Sequence, residues 1–553
     1  MATLVALSAT NATAATSAES GSILGADRST AIAGKYIVAL KDTAQLRSEG
    51  SGEVVARLAA KYKSTVGHHY RTALSGYSAE LSEESARKLA ADPAVAYVEQ
   101  DSRVQASGSD SDSDSEVGVT QIREGATWGL DRIDQRAPTL NGRYSFTDTG
   151  AGVRVYVLDT GIRTSHNEFQ DANGVSRASA PRDIVDDDFN AADCNGHGTH
   201  VAGTAVGKSL GVASEARVVG VRVLDCDGEG TASDLIAGFD YVAANGIRPA
   251  VVNVSLGGQA SAAIDSAAQR LLDLGFTVVA AAGNTGDLAS EFSPARVTGV
   301  LTVAASDVYD QRPYWSNYGA QVDVHAPGVA VLSAGHNSNT ATVTKSGTSM
   351  AAPHVAGVAA RYLQTFPDKT AGNVSSAINR NVNPGAITLG PPPPPGWDPV
   401  SPLPDPENPP PRENAVPATE PSFDHLLHAS VWGQPDTTCV LTGLALGKPI
   451  ADGPGQAGTL SPLLITGCGQ TSFWGPVKVE FNIDHPRPSD LLIDLVAPDE
   501  QRYRLRDPGT STPVNNVTAW PKVTELRNGT WKLDVIDQVS GQQGSLSSWK
   551  ILF

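Results

Sequence analysis

The sequence predicts a chain organised around an α/β unit, a parallel sheet with helices on both faces. A small α+β domain precedes this unit, and an antiparallel β-sandwich follows it. Continuous apolar runs alternate with helical patterns over residues 127–384, which is typical of parallel strands buried on both faces. After a proline-rich stretch at 385–421, short runs of alternating polarity are separated by turn residues, which is typical of antiparallel strands.

The overall composition limits the classes of protein to consider. At 553 residues, the chain is long enough for roughly three to five domains. Its net charge of -18 argues against nucleic acid as a partner, because an acidic protein and a polyanion repel each other. The apolar stretches are shorter than the ~18–20 residues that span a bilayer. The acidity fits a soluble exported protein or one rich in cation sites, and no membrane span is expected. We also expect a monomer.

Four cysteines fall into two local pairs, Cys194 with Cys226 and Cys439 with Cys468. Even, local pairing predicts two disulfides and an oxidising compartment. Cysteine spacing alone leaves the connectivity open.

The N-terminal stretch 1–34 has two open interpretations. Its first 15 residues are small and mildly apolar, and Ala12-Thr13-Ala14 resembles a signal-peptidase site. A secretion signal would require a Lys or Arg before the apolar region, and none is present there. The stretch is either a weak or truncated signal peptide or a disordered tail.

Residues 35–106 have the pattern of a small independent α+β domain of the split βαβ kind. Apolar and alternating runs predict strands, and amphipathic periodicity predicts two helices. The strands are expected at 35–40, 77–81 and 96–99, and the helices at 53–62 and 83–91.

Residues 107–126 begin with alternating Ser and Asp. Such a run has too little apolar surface to order itself, so it predicts an exposed linker. A calcium-binding array is the alternative. Exposed linkers are preferred sites of proteolysis, and we predict a maturation cleavage between about Gln105 and Ala126.

The central unit, residues 127–384, alternates predicted strands and helices. Strands are expected at 153–158, 217–224, 250–256, 276–282 and 300–304, with helices at 198–206, 231–244, 260–274 and 350–365. Sites in such sheets gather at the carboxyl ends of strands. Asp159 and Asn284 follow two of these strands.

The stretch 385–421 contains two proline runs and predicts a stiff linker, with a partner-binding proline motif as the alternative. Residues 422–553 contain alternating runs such as 477–483, 491–495 and 531–537. They predict a β-sandwich domain.

Three motifs predict nucleophilic catalysis. Asp159 ends a predicted strand in Leu-Asp-Thr-Gly, His197 lies in Asn-Gly-His-Gly-Thr-His-Val-Ala-Gly, and Ser349 lies in Gly-Thr-Ser-Met-Ala-Ala-Pro-His-Val-Ala-Gly. A serine hydroxyl becomes a nucleophile when a base takes its proton and a carboxylate orients that base. The three residues stand in the order Asp, His, Ser, one of the known orders of this triad.

These three motifs resemble the signature blocks of the subtilisin-like serine proteases, in the branch of proteinase K and aqualysin. The resemblance implies a subtilisin-like fold for the central unit and a Ser-His-Asp endopeptidase, with Asn284 as an oxyanion donor. Residues 35–106 are similar to the inhibitory propeptide of such zymogens, in which the tail that follows the last strand passes through the active-site cleft.

The C-terminal domain resembles the P domain of proprotein convertases. The resemblance rests on Ser-Asp-Leu-Leu-Ile-Asp-Leu-Val-Ala-Pro at 489–498, Asn-Gly-Thr-Trp-Lys-Leu-Asp-Val-Ile-Asp at 528–537, and Gly-Ser-Leu-Ser-Ser-Trp at 544–549. A carbohydrate-binding or adhesion sandwich is the alternative.

The resemblance to subtilisins also implies how peptide substrates bind. They are expected to lie as extended strands between two segments of the chain, with small residues on the pocket wall. The implied residues are Gly228, Gly230, Ser255, Leu256, Gly257, Ala281 and Gly283. Small walls favour aromatic or aliphatic residues before the scissile bond and broad specificity.

The same resemblance implies one disulfide and calcium sites. Cys194 and Cys226 stand at the positions of an aqualysin-type disulfide. A structural Ca²⁺ is expected at Asp323 with the carbonyls of Thr298 and Val300. A second calcium site is expected at Asp131, Asp134 and Gln135, where Arg143 replaces an expected oxygen ligand. Alternatively, the acids of this second set are surface residues that cap the backbone.

The primary prediction is a secreted zymogen whose mature form is a broad-specificity endopeptidase. Protein or peptide substrates and its own propeptide are the expected partners. A selective processing protease and a catalytically silent binding module are the alternatives. His200 and His354 lie among small helix residues and are expected to be packed residues rather than bases or metal ligands.

Overall fold

The structure is a computed structural model. It describes residues 21–43, 49–106, 125–146, 148–383, 386–390, 425–428, 440–442, 448–450, 459–466, 475–476, 478–498, 500–509, 517–519, 522–523, 529–540 and 544–552. The predicted Cys439–Cys468 disulfide lies outside these residues, as do the acidic and proline-rich linkers for the most part.

The N-terminal unit is an antiparallel sheet in the order β5-β2-β4-β3, with β1 parallel to β5. Its elements are β1 (Ile23–Leu24), β2 (Ala31–Leu40), α1 (Ser51–Tyr62), β3 (Thr65–Tyr70), β4 (Gly76–Glu80), α2 (Glu83–Ala90) and β5 (Val95–Ala106). Apolar residues of both helices form one buried cluster with the sheet, among them Val54, Leu58 and Leu89. Strand β1 and the start of β2 come from the stretch predicted as a signal or tail, and β3 was not predicted.

The central unit contains a seven-stranded sheet in the order β16-β14-β12-β10-β6-β8-β7, and all its neighbouring strands are parallel. Its helices are α3 (Trp128–Ile133), α4 (His197–Val206), α5 (Ala232–Asn245), α6 (Ala262–Asp273), α7 (Thr348–Thr365) and α8 (Ala371–Asn381). Its strands are β6 (Arg154–Asp159), β7 (Ala178–Asp183), β8 (Arg217–Arg222), β9 (Glu229–Thr231), β10 (Ala250–Val254), β11 (Leu256–Gln259), β12 (Thr277–Ala281), β13 (Phe292–Ser293), β14 (Leu301–Ser306), β15 (Gln311–Arg312), β16 (Val324–Pro327), β17 (Val331–Ala334), β18 (Thr342–Lys345) and β19 (Thr388–Leu389).

Successive residues of this sheet face two different apolar clusters. On β6, Val155 and Val157 belong to one cluster, while Tyr156 and Leu158 belong to the other. Both faces are therefore covered, which explains the continuous apolar runs in the sequence. The α/β fold class predicted from these runs is confirmed.

The chain order reverses at β6. From β6 the chain proceeds to β7 and β8 on one side, and then to β10, β12, β14 and β16 on the other. Such a topological switch point opens a crevice at the carboxyl ends of the strands. Asp159, the last residue of β6, lies at this crevice. The predicted strand 250–256 is split into β10 and β11, and Ser255 lies between the two.

The described part of the C-terminal unit contains two larger antiparallel sheets, β20-β22-β29-β25-β26 and β21-β30-β24-β27, and the two-stranded sheet β23-β28. Apolar residues of both sheets form one core, including Ile493 and Leu533 from the first and Phe481 and Trp549 from the second. This packing confirms the predicted β-sandwich. The strands are β20 (Val440–Thr442), β21 (Lys448–Pro449), β22 (Thr459–Thr466), β23 (Gly475–Pro476), β24 (Lys478–Asp484), β25 (Leu491–Val496), β26 (Arg502–Arg506), β27 (Val517–Ala519), β28 (Lys522–Val523), β29 (Gly529–Asp537) and β30 (Ser545–Leu552).

Candidate active site

The carboxyl end of β6 and the first residue of α4 bring a carboxylate and an imidazole together. Asp159 Oδ1 lies 2.7 Å from His197 Nδ1, and both side chains are buried. The backbone N–H of Thr160 also donates to Asp159 Oδ1, at 2.8 Å. His197 Nε2 is buried and has no hydrogen-bond partner within the described part of the chain. The carboxylate therefore fixes the imidazole through Nδ1 and leaves Nε2 available as a proton acceptor.

The loop before α4 is held by Asp193, which is not among the site residues predicted from sequence. Its Oδ1 accepts hydrogen bonds from the backbone of Asn195 and Gly196 and from the hydroxyl of Thr160. Its Oδ2 accepts from the backbone and hydroxyl of Thr199. A carboxylate beside the unpaired N–H groups of a helix start is stabilising. An acidic residue just before the predicted helix was the available sequence signal.

Ser349 is the second residue of α7, and its hydroxyl donates to the carbonyl of Ser255 at 2.7 Å. The hydroxyl is thus directed at the carboxyl end of β10, not at an imidazole nitrogen. Catalytic hydrogen bonds are often long or poorly aligned before the reacting complex forms, and a serine hydroxyl changes partner by rotation about one bond.

Helix α7 has an interruption directly behind the nucleophile. Pro353 has no N–H to donate to the carbonyl of Ser349 four residues earlier. The hydroxyl of Ser255 donates to that carbonyl instead, at 2.9 Å, and Asn253 Nδ2 in turn donates to Ser255 Oγ at 2.9 Å. The side chain of Ser255 therefore replaces a helical hydrogen bond and holds the backbone of Ser349.

Asn284, which follows β12, is oriented by the first residue of α7. Its Oδ1 accepts from the N–H and the hydroxyl of Thr348, at 2.9 and 2.8 Å. Because both partners donate, the atom that faces them is the oxygen, and the Nδ2 group is the one left to donate. Thr348 Oγ1 also accepts from the N–H of Gly283 at 3.1 Å, which ties the pocket loop to the helix start.

Two glycines are required by close approach at this site. A Cβ on Gly198 would lie 2.1 Å from the carbonyl oxygen of Gly161. A Cβ on Gly283 would lie 2.4 Å from Asn317 Nδ2. Gly283 also has a φ of +105°, a backbone angle that residues other than glycine rarely adopt. These contacts set how closely the histidine helix and the pocket loop approach their neighbours.

The end of β5 lies as an extended strand between β9 and β11. We call residues 103–106 the tail strand. It is antiparallel to both neighbours, with Val104 opposite Gly230 and Gln105 opposite Gly257. The N–H of Ala106 donates to the carbonyl of Gly228 at 3.0 Å. The segments expected to bind substrate thus hold a strand of the same chain.

The rest of the N-terminal unit contacts the starts of two central helices through buried carboxylates. Glu99 accepts from the N–H of Ala263 at 2.9 Å and pairs with Arg28 at 2.7 Å. Asp101 accepts from the N–H and hydroxyl of Ser233, and burial raises the pKa of Asp101. These carboxylates satisfy helix N–H groups in α6 and α5 and complement the helix dipoles.

The structure places His200 and His354 inside helices α4 and α7, and both are buried. His200 Nε2 lies 2.9 Å from the carbonyl of Val331, and His354 Nδ1 lies 2.9 Å from that of Met350. Burial lowers the pKa of His200 well below its usual value and that of His354 to about 4. Both are packed as neutral residues, consistent with their expected structural role.

Cys194 and Cys226 form a disulfide with a Cα–Cα distance of 5.1 Å. It joins the loop before His197 to the segment before β9. Asn195 Nδ2 donates to the carbonyl of Cys226 at 3.0 Å, so the same two segments are joined by a second contact. The proposed base and one wall of the cleft are therefore linked covalently.

The predicted calcium ligands consist of oxygen donors. Asp323 is buried, and its Oδ2 accepts from the N–H of Thr302 at 2.9 Å. Asp134 Oδ1 is buried without a hydrogen-bond partner, whereas the carboxylate of Asp131 accepts from the N–H groups of Asn141 and Gly142. Gln135 Oε1 accepts from the side chain of Asn141 at 2.7 Å. Within the described residues, no three His, Cys, Asp or Glu side chains cluster as a metal site.

Comparison with known families matches three parts of the chain. Residues 150–408 match the Subtilase family, residues 35–107 match the Peptidase inhibitor I9 family, and residues 475–553 match the Proprotein convertase P-domain. No helix among the described residues is long and apolar enough to cross a membrane.

Several curated proteins are similar to this chain. An extracellular serine proteinase of Thermus sp. (strain Rt41A) is 42% identical over 68% of this chain and 90% of its own length. Alkaline serine exoprotease A of Vibrio alginolyticus is 42% identical over 65% of this chain and 66% of its own length. A cuticle-degrading serine protease of Arthrobotrys oligospora is 39% identical over 64% of this chain and 88% of its own length.

Among solved structures, a cold adapted subtilisin-like serine proteinase is 46% identical. The match covers 48% of this chain and 94% of that chain, with a TM-score of 0.46.

Proposed function

Because the chain belongs to the subtilase family and is a subtilisin-like serine endopeptidase, we propose that Asp159, His197 and Ser349 form its catalytic triad. The observation that carries this proposal is the buried 2.7 Å hydrogen bond between Asp159 and His197 Nδ1, with Nε2 left for the serine proton. The three residues come from β6, α4 and α7, which meet at the switch point of the sheet.

In the proposed reaction, the hydroxyl of Ser349 turns from the Ser255 carbonyl to His197 Nε2. His197 removes the hydroxyl proton as Oγ attacks the scissile carbonyl, and it later donates that proton to the leaving amine. Asp159 stays ionised, fixes the imidazole tautomer and stabilises the imidazolium. Ser255 holds the backbone of the nucleophile through the carbonyl that Pro353 leaves unpaired.

The oxyanion of the tetrahedral intermediate is assigned to two donors. One is Asn284 Nδ2, whose amide is oriented by Thr348. The other is the backbone N–H of Ser349 in the first turn of α7, where unpaired N–H groups favour negative charge. Preorganised donors of this kind stabilise the transition state without reorganisation during the reaction.

Labelling of the matured protein with a fluorophosphonate probe tests the triad. Wild type should be labelled, and Ser349→Ala should not. Ser346→Ala is a matched control, because Ser346 is also buried and accepts from the N–H of Ala330; this variant should keep the label. An unlabelled wild type, or a labelled Ser349→Ala protein, would exclude Ser349 as the nucleophile.

We further propose that substrates bind in place of the tail strand, with broad specificity that favours apolar or aromatic residues before the scissile bond. Val104 is buried in the cleft, while Arg103 and Gln105 are exposed, so the strand is held mainly through its backbone and one apolar side chain. Ala281 and Gly283 supply the small pocket wall.

One observation favours a preference for basic residues at a more distant subsite. Arg103 Nη1 lies 3.6 Å from a carboxylate oxygen of Glu229 across the cleft. Both side chains are mostly exposed, and such pairs contribute little. Cleavage of a peptide library by wild type and Glu229→Gln separates the two specificities. Selection for basic residues that is lost in Glu229→Gln would support a processing protease, whereas unchanged apolar selection supports the broad enzyme.

The N-terminal unit is proposed to act as the enzyme's own inhibitor, since its tail strand occupies the proposed substrate segments.

The cleavage site itself lies outside the described residues. The tail strand runs antiparallel to β11 and ends with Ala106 opposite Leu256, one position short of Ser255. We therefore propose that the first cleavage falls at the Ser107–Gly108 bond. N-terminal sequencing of protein at early maturation times should give Gly108; a first terminus elsewhere contradicts this register.

Secretion and structural calcium complete the proposal. The names of relatives that describe extracellular enzymes support secretion, and detection of the protein in culture medium rather than in cells tests it.

Calcium is proposed at Asp323 with the carbonyls of Thr298 and Val300, and at Asp131, Asp134 and Gln135; when bound, the ion would cross-link these loops. Chelation should lower the melting temperature of wild type and have less effect on Asp323→Asn if the first site is occupied.

A further inference from the structure

A short segment from beyond the proline-rich stretch lies on the edge of the central sheet. We call residues 425–428 the latch segment. His325 on β16 donates its N–H to the carbonyl of His425 and accepts from the N–H of Leu427, each at 2.8 Å. On the other side, Asn383 and Leu426 exchange two backbone hydrogen bonds of 2.8 and 3.2 Å. The latch segment thus forms isolated backbone bridges to β16 on one side and to the chain that follows α8 on the other.

The side chains of the latch segment are buried along its whole length. Leu426 and Leu427 are both 0% exposed. Leu427 belongs to the same apolar cluster as Leu130, Ile133 and Val324 of the central unit. His425 and His428 are also buried. Burial of two leucines from water is a substantial stabilising contribution, so the contact is part of the core and not a surface encounter.

The location of the contact gives it a structural role. β16 is the last strand on its side of the seven-stranded sheet, and an exposed edge strand is a template for unwanted pairing. The latch segment covers this edge, yet residues 391–424 separate it from the preceding described residues. In the sequence it falls within the predicted C-terminal domain, residues 422–553.

We propose that the edge of β16 and Asn383 form a docking groove for an extended segment with two adjacent leucines, and that the latch segment is its occupant. Docking in this groove couples the integrity of the C-terminal region to the stability of the central unit. A cut between residues 391 and 424 would break the covalent connection between the latch segment and the central unit. A cut after residue 428 would keep that connection and separate the latch segment from the C-terminal domain. The proposal concerns stability and does not depend on the proposed catalytic residues.

The test uses the full chain with Ser349→Ala to prevent self-cleavage. One protein carries a site for an unrelated specific protease within 391–424, and a second carries the same site within 429–439. After complete cleavage and dilution, the upstream cut should lower the melting temperature of the central unit by at least about 5 °C. The downstream cut should leave it within about 1 °C of the uncut protein. Equal effects of the two cuts, or no effect of either, would overturn the proposal.

A peptide experiment tests the groove directly. A synthetic peptide of sequence Pro-Ser-Phe-Asp-His-Leu-Leu-His-Ala-Ser-Val, residues 421–431, is added in excess to the protein cut upstream. It should raise the melting temperature in a concentration-dependent way, because a ligand that binds the folded state stabilises it. The same peptide with both leucines replaced by serine should have no effect. Failure of the first peptide, or equal stabilisation by both, would show that the groove does not recognise the latch segment.

In the uncut chain, Leu427→Ala provides a second measurement that does not require cleavage. It should lower the melting temperature and speed hydrogen exchange at the amides of residues 425–428, while Leu460→Ala, which replaces a leucine that is 40% exposed, should do neither. Unchanged exchange in Leu427→Ala would contradict the docking.

Discussion

The central unit accepts two strands from other parts of the chain, and the two differ in how they are held. In the tail strand only Val104 is fully buried, and the cleft holds the backbone between β9 and β11. In the latch segment all four residues are buried, and Leu427 joins the apolar core of the central unit. A strand held mainly by its backbone can be exchanged for many sequences, as a protease cleft requires. A strand held by its side chains is specific and lasting.

The largest expected effect separates strand binding from chemistry in the cleft. Asn284→Ala removes one oxyanion donor and should lower kcat by ~10²–10³ with little change in KM. Binding of the tail strand should be unaffected, because its backbone partners lie on β9 and β11. Steady-state kinetics of the matured enzyme and the rate of propeptide release measure the two effects. A rise in KM together with a loss of propeptide affinity would mean that Asn284 shapes the strand site instead.

The second prediction concerns acid and the latch segment. Burial lowers the pKa of His428 to about 4, and the nearby charges of Arg136 and Arg132 act in the same direction. Because the unfolded chain binds the proton more readily, the contribution of the neutral imidazole is complete above pH ~6.5 and is lost as pH falls towards about 4. The imidazole of His428 therefore contributes less to stability at pH 4.5 than at pH 7.

Denaturant unfolding of the Ser349→Ala chain at pH 7 and pH 4.5 measures this term. Other groups, such as the buried His354, also contribute to the wild-type loss. Replacement by a residue that does not titrate, His428→Gln, should therefore reduce the stability difference between the two pH values without abolishing it. An undiminished difference would show that His428 does not report on latch docking.

Particular residues show how much of this arrangement could be predicted from sequence. Apolar runs located the sheet because both of its faces are buried, and three local motifs located Asp159, His197 and Ser349 because each lies at the end or start of an element. The latch segment has only four residues and no periodicity, so its position depends on tertiary contacts alone. The hydrogen bond by which Ser255 replaces the missing N–H of Pro353 could not be predicted for the same reason, since these residues are almost one hundred positions apart.

The third prediction weakens the tail strand through its one buried side chain. Val104→Ala removes two methyl groups from the cleft and should weaken propeptide binding by ~5–30-fold, the equivalent of about 1–2 kcal/mol. Active enzyme should therefore appear sooner after the first cleavage. Arg103→Ala is the matched control, because its exposed pair with Glu229 should contribute less than about 1 kcal/mol. Similar acceleration by both variants would argue against side-chain selection at Val104.

The smallest expected effect lies where the cleft strand meets the nucleophile. Ser255→Ala leaves the carbonyl of Ser349 without the hydroxyl that replaces the missing N–H of Pro353, and loss of such a buried hydrogen bond should lower kcat about tenfold. Tail binding should stay close to wild type, since β11 pairs through its backbone. Pro353→Ala in the same protein restores an N–H that can donate to Ser349 and should recover part of kcat. No recovery would mean that the loss in Ser255→Ala does not arise from the unpaired carbonyl of Ser349.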